Sequence, residues 1–266
     1  MRKVEKLFIA IGRIIIAIRR TIINFFVEFG AVCSLISEII RFTPRIWRDR
    51  RLILDQMEHI GADSLPLVLI IGLFTGMVSA WQAADQLQGI ASLSLLGRVV
   101  SGAIFMELGP VLTAIVIAGR VGASIGAELG TMKVTEQIDA LETLAISPVR
   151  YLAMPRFIAA LTMMPILVIF ANIIAIFGSF FVANFMLHLS SQTFFSSVQQ
   201  HFVVNDVMFG LVKSIVFGGT TALLGCHIGF RTEGGAEGVG QATVRSFVLS
   251  SAMILILDFT LWMLIH

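Results

Sequence analysis

Stretches without charge recur along this chain. Ser64 to Ala84 holds no Asp, Glu, Lys or Arg between Asp63 and Asp85. Arg98 to Arg120 encloses an apolar stretch interrupted only by Glu107. Arg156 and Asp206 bracket a long run with no such residue at all. Val207 to Phe230 holds only Lys213, and Ser246 to Ile265 only Asp258. A helix of about 20 apolar residues crosses the hydrocarbon of a bilayer. Lipid offers no partner to open backbone, so each crossing must be helical. The pattern predicts five spans, over about 64–84, 98–120, 157–187, 207–230 and 246–265. The polar string Ser190 to Gln200 reads as a loop.

Residues 1–40 follow a different rule. Leu7, Ile11, Ile14, Ile15, Ile18, Ile22 and Phe25 recur at three- and four-residue spacing, interrupted by Arg13, Arg19, Arg20, Glu28 and Glu38. That spacing predicts an amphipathic helix lying at the membrane interface, with an extra span as the alternative. Arg2, Lys3 and Lys6 precede an apolar stretch, as in a signal peptide. Arg13 breaks that stretch and no small-residue cleavage site follows, so the segment reads as mature sequence. The expected architecture is an all-α integral membrane protein. Interfacial or elbow helices occupy 1–62 and a five-span domain occupies 63–266.

Composition agrees. The chain is 57% hydrophobic and 14% charged, with a mean hydropathy of +0.92. So much apolar surface needs lipid as its solvent. The net charge of +2 is too small to point to nucleic acid. Cys33 and Cys226 lie far apart without ligand spacing, and the histidines are scattered, so neither a disulfide nor a metal site is expected. The placement of charge says more than its sum. Arg41, Arg45, Arg48, Arg50 and Arg51 precede the first span. Lys133, Arg150 and Arg156 lie between the second and third, and Arg231 and Arg245 between the fourth and fifth. The opposite loops, Asp85 to Gly97 and His188 to Asp206, hold no Lys or Arg. Positive loops stay inside, which predicts a cytoplasmic N-terminus and an outer C-terminus. Trp81 and Trp262 then fall near the outer ends of their spans, where indole favours the headgroup region.

Several motifs bear on mechanism. The P-loop pattern G-x-x-x-x-G-K-[ST] is absent, so any ATP must be bound by a separate subunit and no cofactor is expected in this chain. Gly122-Ala-Ser124-Ile-Gly126 matches a nucleophile elbow, but no strand precedes Ser124 and no catalytic set is expected. Gly122, Gly126 and Gly130 are better read as small-xxx-small spacing that lets helices approach closely, within the chain or in a homodimer.

The segment from about 133 to 147 reads as a short amphipathic coupling helix. Ile138, Leu141 and Ala145 form its apolar stripe; Lys133, Glu136, Gln137, Asp139 and Glu142 supply its polar positions. An acidic helix suits a basic groove on a protein better than anionic lipid. Glu107 is a carboxylate inside a span, which points to transport, and Gly109-Pro110 follows it. Lys213 and Asp258 lie at about the same depth on consecutive spans, which predicts a structural ion pair. Phe74, Met77, Val78 and Trp81 on span one, with Leu108 and Leu112 on span two, could line an apolar lipid path. A second function class is a proton-coupled relay through Glu107, Lys213 and Asp258.

The motifs Glu107-Leu-Gly-Pro110, Gly119-Arg120, Glu128-Leu-Gly130, Thr135-Glu-Gln137, Ala140-Leu141 and Pro155-Arg156 occur in order. With the Lys213 region, Ala242-Thr-x-x-Arg245 and Asp258-Phe259, the chain from about residue 40 resembles the MlaE-type permease family. It departs at Met106, where many relatives carry a basic residue. The resemblance implies the membrane subunit of a lipid ABC transporter in the cytoplasmic membrane. It implies a homodimer, a cytoplasmic P-loop ATPase, an outer-side MCE-domain protein and phospholipid as substrate. The 133–147 segment would dock in the ATPase.

Overall fold

The computed structural model describes residues 26–89, 91–200 and 202–265, together with Arg19 and Ile23. Helix α1 covers 26–42 and is followed by α2 (Arg50–Ile60) and α3 (Leu65–Leu87). Then come α4 (Leu93–Val134), α5 (Gln137–Thr143), α6 (Val149–Phe185), α7 (Ser191–Gln200), α8 (Val204–Phe230) and α9 (Gly235–Ile265). No strand occurs among the described residues, and five of their helices are long and apolar enough to cross a membrane. The chain is a multi-pass membrane protein. The predicted stripe from Leu7 to Phe25 lies outside the described residues.

Each span reaches further than charge alone suggested. The second continues beyond Arg120 to Val134 because that guanidinium is neutralised in place. It donates to the His59 carbonyl at 3.0 Å and to Ser64 Oγ at 2.5 Å, and lies 3.5 Å from Asp63. The fifth begins at Gly235, well before the predicted Ser246. The expected loop at Ser190–Gln200 is largely helix α7. Its polar composition hides a helical period in which Phe194 and Ser197 are buried. Ser197 Oγ accepts the Arg98 backbone N–H at 3.1 Å, fixing α7 across the start of α4.

Small residues set the helix spacing. Gly72 and Gly76 of α3 meet Ala171 and Ala175 of α6, and a Cβ on Gly76 would overlap the Ala175 carbonyl. Ser179 Oγ donates across this crossing to the Gly76 carbonyl at 2.9 Å. Such contacts are the usual adhesive where lipid removes the hydrophobic drive between helices. The Gly122–Gly126–Gly130 stripe is used within the chain. Gly126 packs on Ser246 of α9, Gly122 on Thr221 of α8, and Gly130 on Thr232.

Consecutive spans run in alternate directions, so the bundle has an α5 end and an α7 end. Two apolar cores follow this division. The larger gathers α2, the later part of α4, the early part of α6 and α8. The smaller joins the end of α3, the start of α4, the end of α6 and Phe194 of α7.

Candidate functional site

Near the α7 end, three spans converge on one ammonium. Lys213 of α8 is fully buried, 2.5 Å from Glu107 Oε1 of α4 and 2.7 Å from Asp258 Oδ1 of α9. The Asp258 contact is ionic in distance without hydrogen-bond alignment. Phe209 and Trp262 close the site, with ring centroids 4.6 and 5.5 Å from the Lys213 nitrogen. Aromatic faces attract a desolvated cation. Trp262, placed at the headgroup region by sequence, therefore also packs on the buried charge. Glu107 sits in a π turn, Ile104–Leu108, directly before Gly109-Pro110. Pro110 cannot donate to the helical ladder, and a π turn re-aims a side chain by one extra residue. Together they turn Glu107 towards α8. The structure thus brings Lys213 to Asp258 and adds Glu107, whose contact depends on helix rotations that spacing does not reveal.

At the α5 end, α4 and α6 are joined by a short polar connection. Helix α5 is shorter than the 133–147 segment. Lys133 lies in the last turn of α4, Glu136 turns the chain at φ 61°, and only Gln137–Thr143 is helical in the connection. Ala145, at φ 58°, closes α5 with Ile146 N–H donating to the Leu141 carbonyl and Ala145 N–H to Glu142, the Schellman pattern. Ile138 is buried and Leu141 packs beside it, but Ala145 leaves the predicted stripe for the exposed turn. Glu136, Gln137, Asp139 and Glu142 are exposed, as is Leu144 at 70%. Lys133 pairs with Asp139 at 2.6 Å, so Glu136 and Glu142 carry the uncompensated charge.

A second ionic network lies beside this connection. Arg156 of α6 donates to Glu128 of α4 at 2.9 Å and to the Leu152 carbonyl at 2.9 Å. Ser124 Oγ donates to the other Glu128 oxygen at 2.8 Å. His59 of α2 bridges the space between Asp63, at 3.1 Å, and Glu128, at 3.7 Å. Arg120 completes the set. These residues include several from the motif list, but their mutual contact required the fold.

Helix α1 is tied to the same end. Glu28 reaches His227 at 2.6 Å and Arg231 at 2.8 Å. The His227 hydrogen bond, aided by Arg231, holds the Glu28 carboxyl below its ordinary range against the opposing effect of desolvation.

The residues expected to line a lipid path separate into two groups. Phe74, Val78 and Trp81 lie on an exposed stripe of α3, whereas Met77 packs into the smaller core. Leu108 and Leu112 line a narrow cleft between α3, α4 and α6, with Ile71, Gly72, Thr75 and Ala171. The single chain does not gather all of these residues into one cavity. The described residues contain no cluster of metal-ligating side chains.

Residues 53–264 match the family model described as Permease MlaE. The chain belongs to the MlaE permease family. The permease is 42% identical to a probable ABC transporter permease protein of Rickettsia typhi over 78% of this chain and 80% of the relative. It is 41% identical to a probable ABC transporter permease protein of Synechocystis, over 81% and 82% respectively. It is 34% identical to the intermembrane phospholipid transport system permease protein MlaE of Haemophilus influenzae, over 92% and 94%. The permease is thus a transporter membrane subunit rather than an enzyme.

Proposed function

We propose that the permease moves phospholipid or a related lipid, driven by ATP hydrolysed on a separate P-loop subunit. The observation that carries this reading is the polar connection between α4 and α6. Helix α5 presents Glu136, Glu142 and Leu144 away from the bundle, a surface suited to a basic groove with an apolar pocket. The lipid substrate is supported by the name of the Haemophilus relative. The excess of Arg and Lys at the α5 end supports a cytoplasmic N-terminus and an outer C-terminus in the cytoplasmic membrane. The exposed stripe of α3, with Phe74, Val78 and Trp81, suits a homodimer whose two copies complete the lipid path begun at Leu108 and Leu112. An MCE-domain protein would receive or supply lipid at the α7 end.

The test is mild extraction of tagged permease from its native membrane, followed by reconstitution of what co-purifies. A P-loop ATPase should accompany it, and ATP should drive movement of a labelled phospholipid. Recovery without a P-loop protein, or transfer indifferent to ATP, would refute the reading. The Glu107–Lys213–Asp258 contact gives a second reading some weight, because a proton relay also needs linked ionisable groups. That reading requires transport to collapse when the proton gradient is dissipated with ATP still present.

A further inference from the structure

The segment from Arg41 to Leu54 carries more positive charge than the fold uses. Arg120, Arg150, Arg156 and Arg231 each meet a carboxylate. Arg41, Arg48, Arg50 and Arg51 are exposed, and none has an ion-pair partner among the described residues. Asp49 is the one acidic residue in this stretch. Both its oxygens are taken by Arg150, at 2.9 Å each, so it neither caps α2 nor offsets its neighbours. Arg50 and Arg51 then stand in the first turn of α2, where the helix dipole repels cations. Between them and Arg41 lies Trp47, 84% exposed, with Ile40 at 61% and Leu54 at 59%. Unpaired cations interleaved with exposed indole and aliphatic groups, just before a span, match the chemistry of an anionic lipid surface. The patch stands in the turn before the first span, where lipid is already at hand, which favours lipid over an acidic protein groove.

We propose that this elbow is a binding site for anionic phospholipid headgroups of the cytoplasmic leaflet. The orientation used here rests on the function proposed above. The arginines hold headgroup phosphates while Trp47 and Leu54 enter the boundary between headgroups and chains. The bidentate Asp49–Arg150 pair fixes this patch to the first turn of α6, so bound lipid bears directly on the helix that follows α5.

The test uses the full permease with its co-purifying subunits in nanodiscs of phosphatidylcholine with or without phosphatidylglycerol. The Trp47 signal, taken as the difference between the complex and its Trp47→Phe variant, is quenched by spin-labelled lipid of either headgroup. Labelled phosphatidylglycerol should quench preferentially, and the preference should fall roughly tenfold in the triple variant Arg48→Gln/Arg50→Gln/Arg51→Gln and with added salt. Native mass spectrometry of the unmodified complex should show retained anionic lipid that the triple variant loses and Arg245→Gln keeps. Equal quenching by both headgroups, or equal lipid retention by the triple variant, overturns the proposal. Displacement by inorganic phosphate at matched ionic strength also overturns it, since a free anion would then suffice. Loss of subunit capture in the triple variant with unchanged quenching assigns the patch to protein and overturns it too. None of these readouts requires transport, so a failure of the ATP-driven reading is scored separately.

Discussion

Replacing Lys213 with Met should harm the permease more than neutralising either carboxylate beside it. At 2.5 and 2.7 Å the ammonium gains attraction from both Glu107 and Asp258. At an effective dielectric of about 20, each contact is worth about 6 kcal/mol before desolvation is subtracted. Much of that gain is offset by removing the charges from water. The useful quantity is therefore a difference between variants. Lys213→Met leaves two carboxylates facing each other inside the bundle, and breaking such a buried pair costs about 3–5 kcal/mol. Asp258→Asn leaves the Lys213–Glu107 pair intact and keeps an oxygen beside the ammonium, so its cost should be nearer 1–2 kcal/mol. The triple variant Glu107→Gln/Lys213→Met/Asp258→Asn removes all charge and should recover much of the loss. The assay is the thermal aggregation midpoint of detergent-solubilised protein, read with the yield in membranes. The order expected is wild type, Asp258→Asn, the triple variant and then Lys213→Met. The reasoning fails if Lys213→Met is as stable as Asp258→Asn, or if the triple variant is no better than Lys213→Met.

Three further outcomes follow from the geometry. Glu136→Lys with Glu142→Lys should weaken pull-down of the ATPase while insertion persists; Asp139→Lys should add a loss of local order, because it also breaks the 2.6 Å bridge to Lys133. Gly126→Val should lower the thermal midpoint, since even a Cβ there lies 2.8 Å from Ser246 Oγ, whereas Gly102→Ala, with open space around it in a helix, should leave the midpoint unchanged or raise it. Glu28 has a folded pKa below its ordinary value of 4.5, so its attachment of α1 is present above that value and lost as pH falls through the lowered one; the motion of a spin label attached beforehand to the exposed Cys33 should increase on acidification, and Glu28→Gln should remove that pH dependence.

Much of the fold was legible because lipid imposes length and charge rules on the sequence. Five charge-poor stretches marked five helices, and matched depth placed Lys213 beside Asp258. Span ends were less legible, since an ionisable residue ends a helix only when it must reach water. Arg120 does not, because the His59 carbonyl and Ser64 Oγ accept its hydrogen bonds. Helix α7 was hidden by its Ser, Thr and Gln content, although Phe194 and Ser197 keep helical spacing. Glu107 was visible as a costly group, but not as a partner of Lys213, because the π turn that re-aims it leaves no periodic signature. The lipid-path residues divided for a related reason. Apolar character places a side chain in the membrane without saying whether it faces outward, as Val78 does, or the core, as Met77 does.

Arg156 offers a sharper test of the network beside α5, because only its geometry distinguishes it from lysine. Its side chain is 9% exposed and sends one nitrogen to Glu128 and another to the Leu152 carbonyl, each at 2.9 Å. A guanidinium holds these two directions in one plane; an ammonium on a shorter stem is a point charge with no fork. Arg156→Lys therefore keeps the charge but loses one contact, leaving either the Leu152 carbonyl or Glu128 less satisfied. The expected cost is about 1–3 kcal/mol, the range for a buried polar group deprived of its partner. Arg156→Met should cost more, because Glu128 keeps only Ser124 and the more distant His59. Adding Glu128→Gln to Arg156→Met should recover part of that loss by removing the stranded charge. Thermal midpoints of the three variants decide it. If Arg156→Lys equals wild type, the fork is not what joins α4 to α6. If the double variant is no better than Arg156→Met, the Glu128 charge was never held by Arg156.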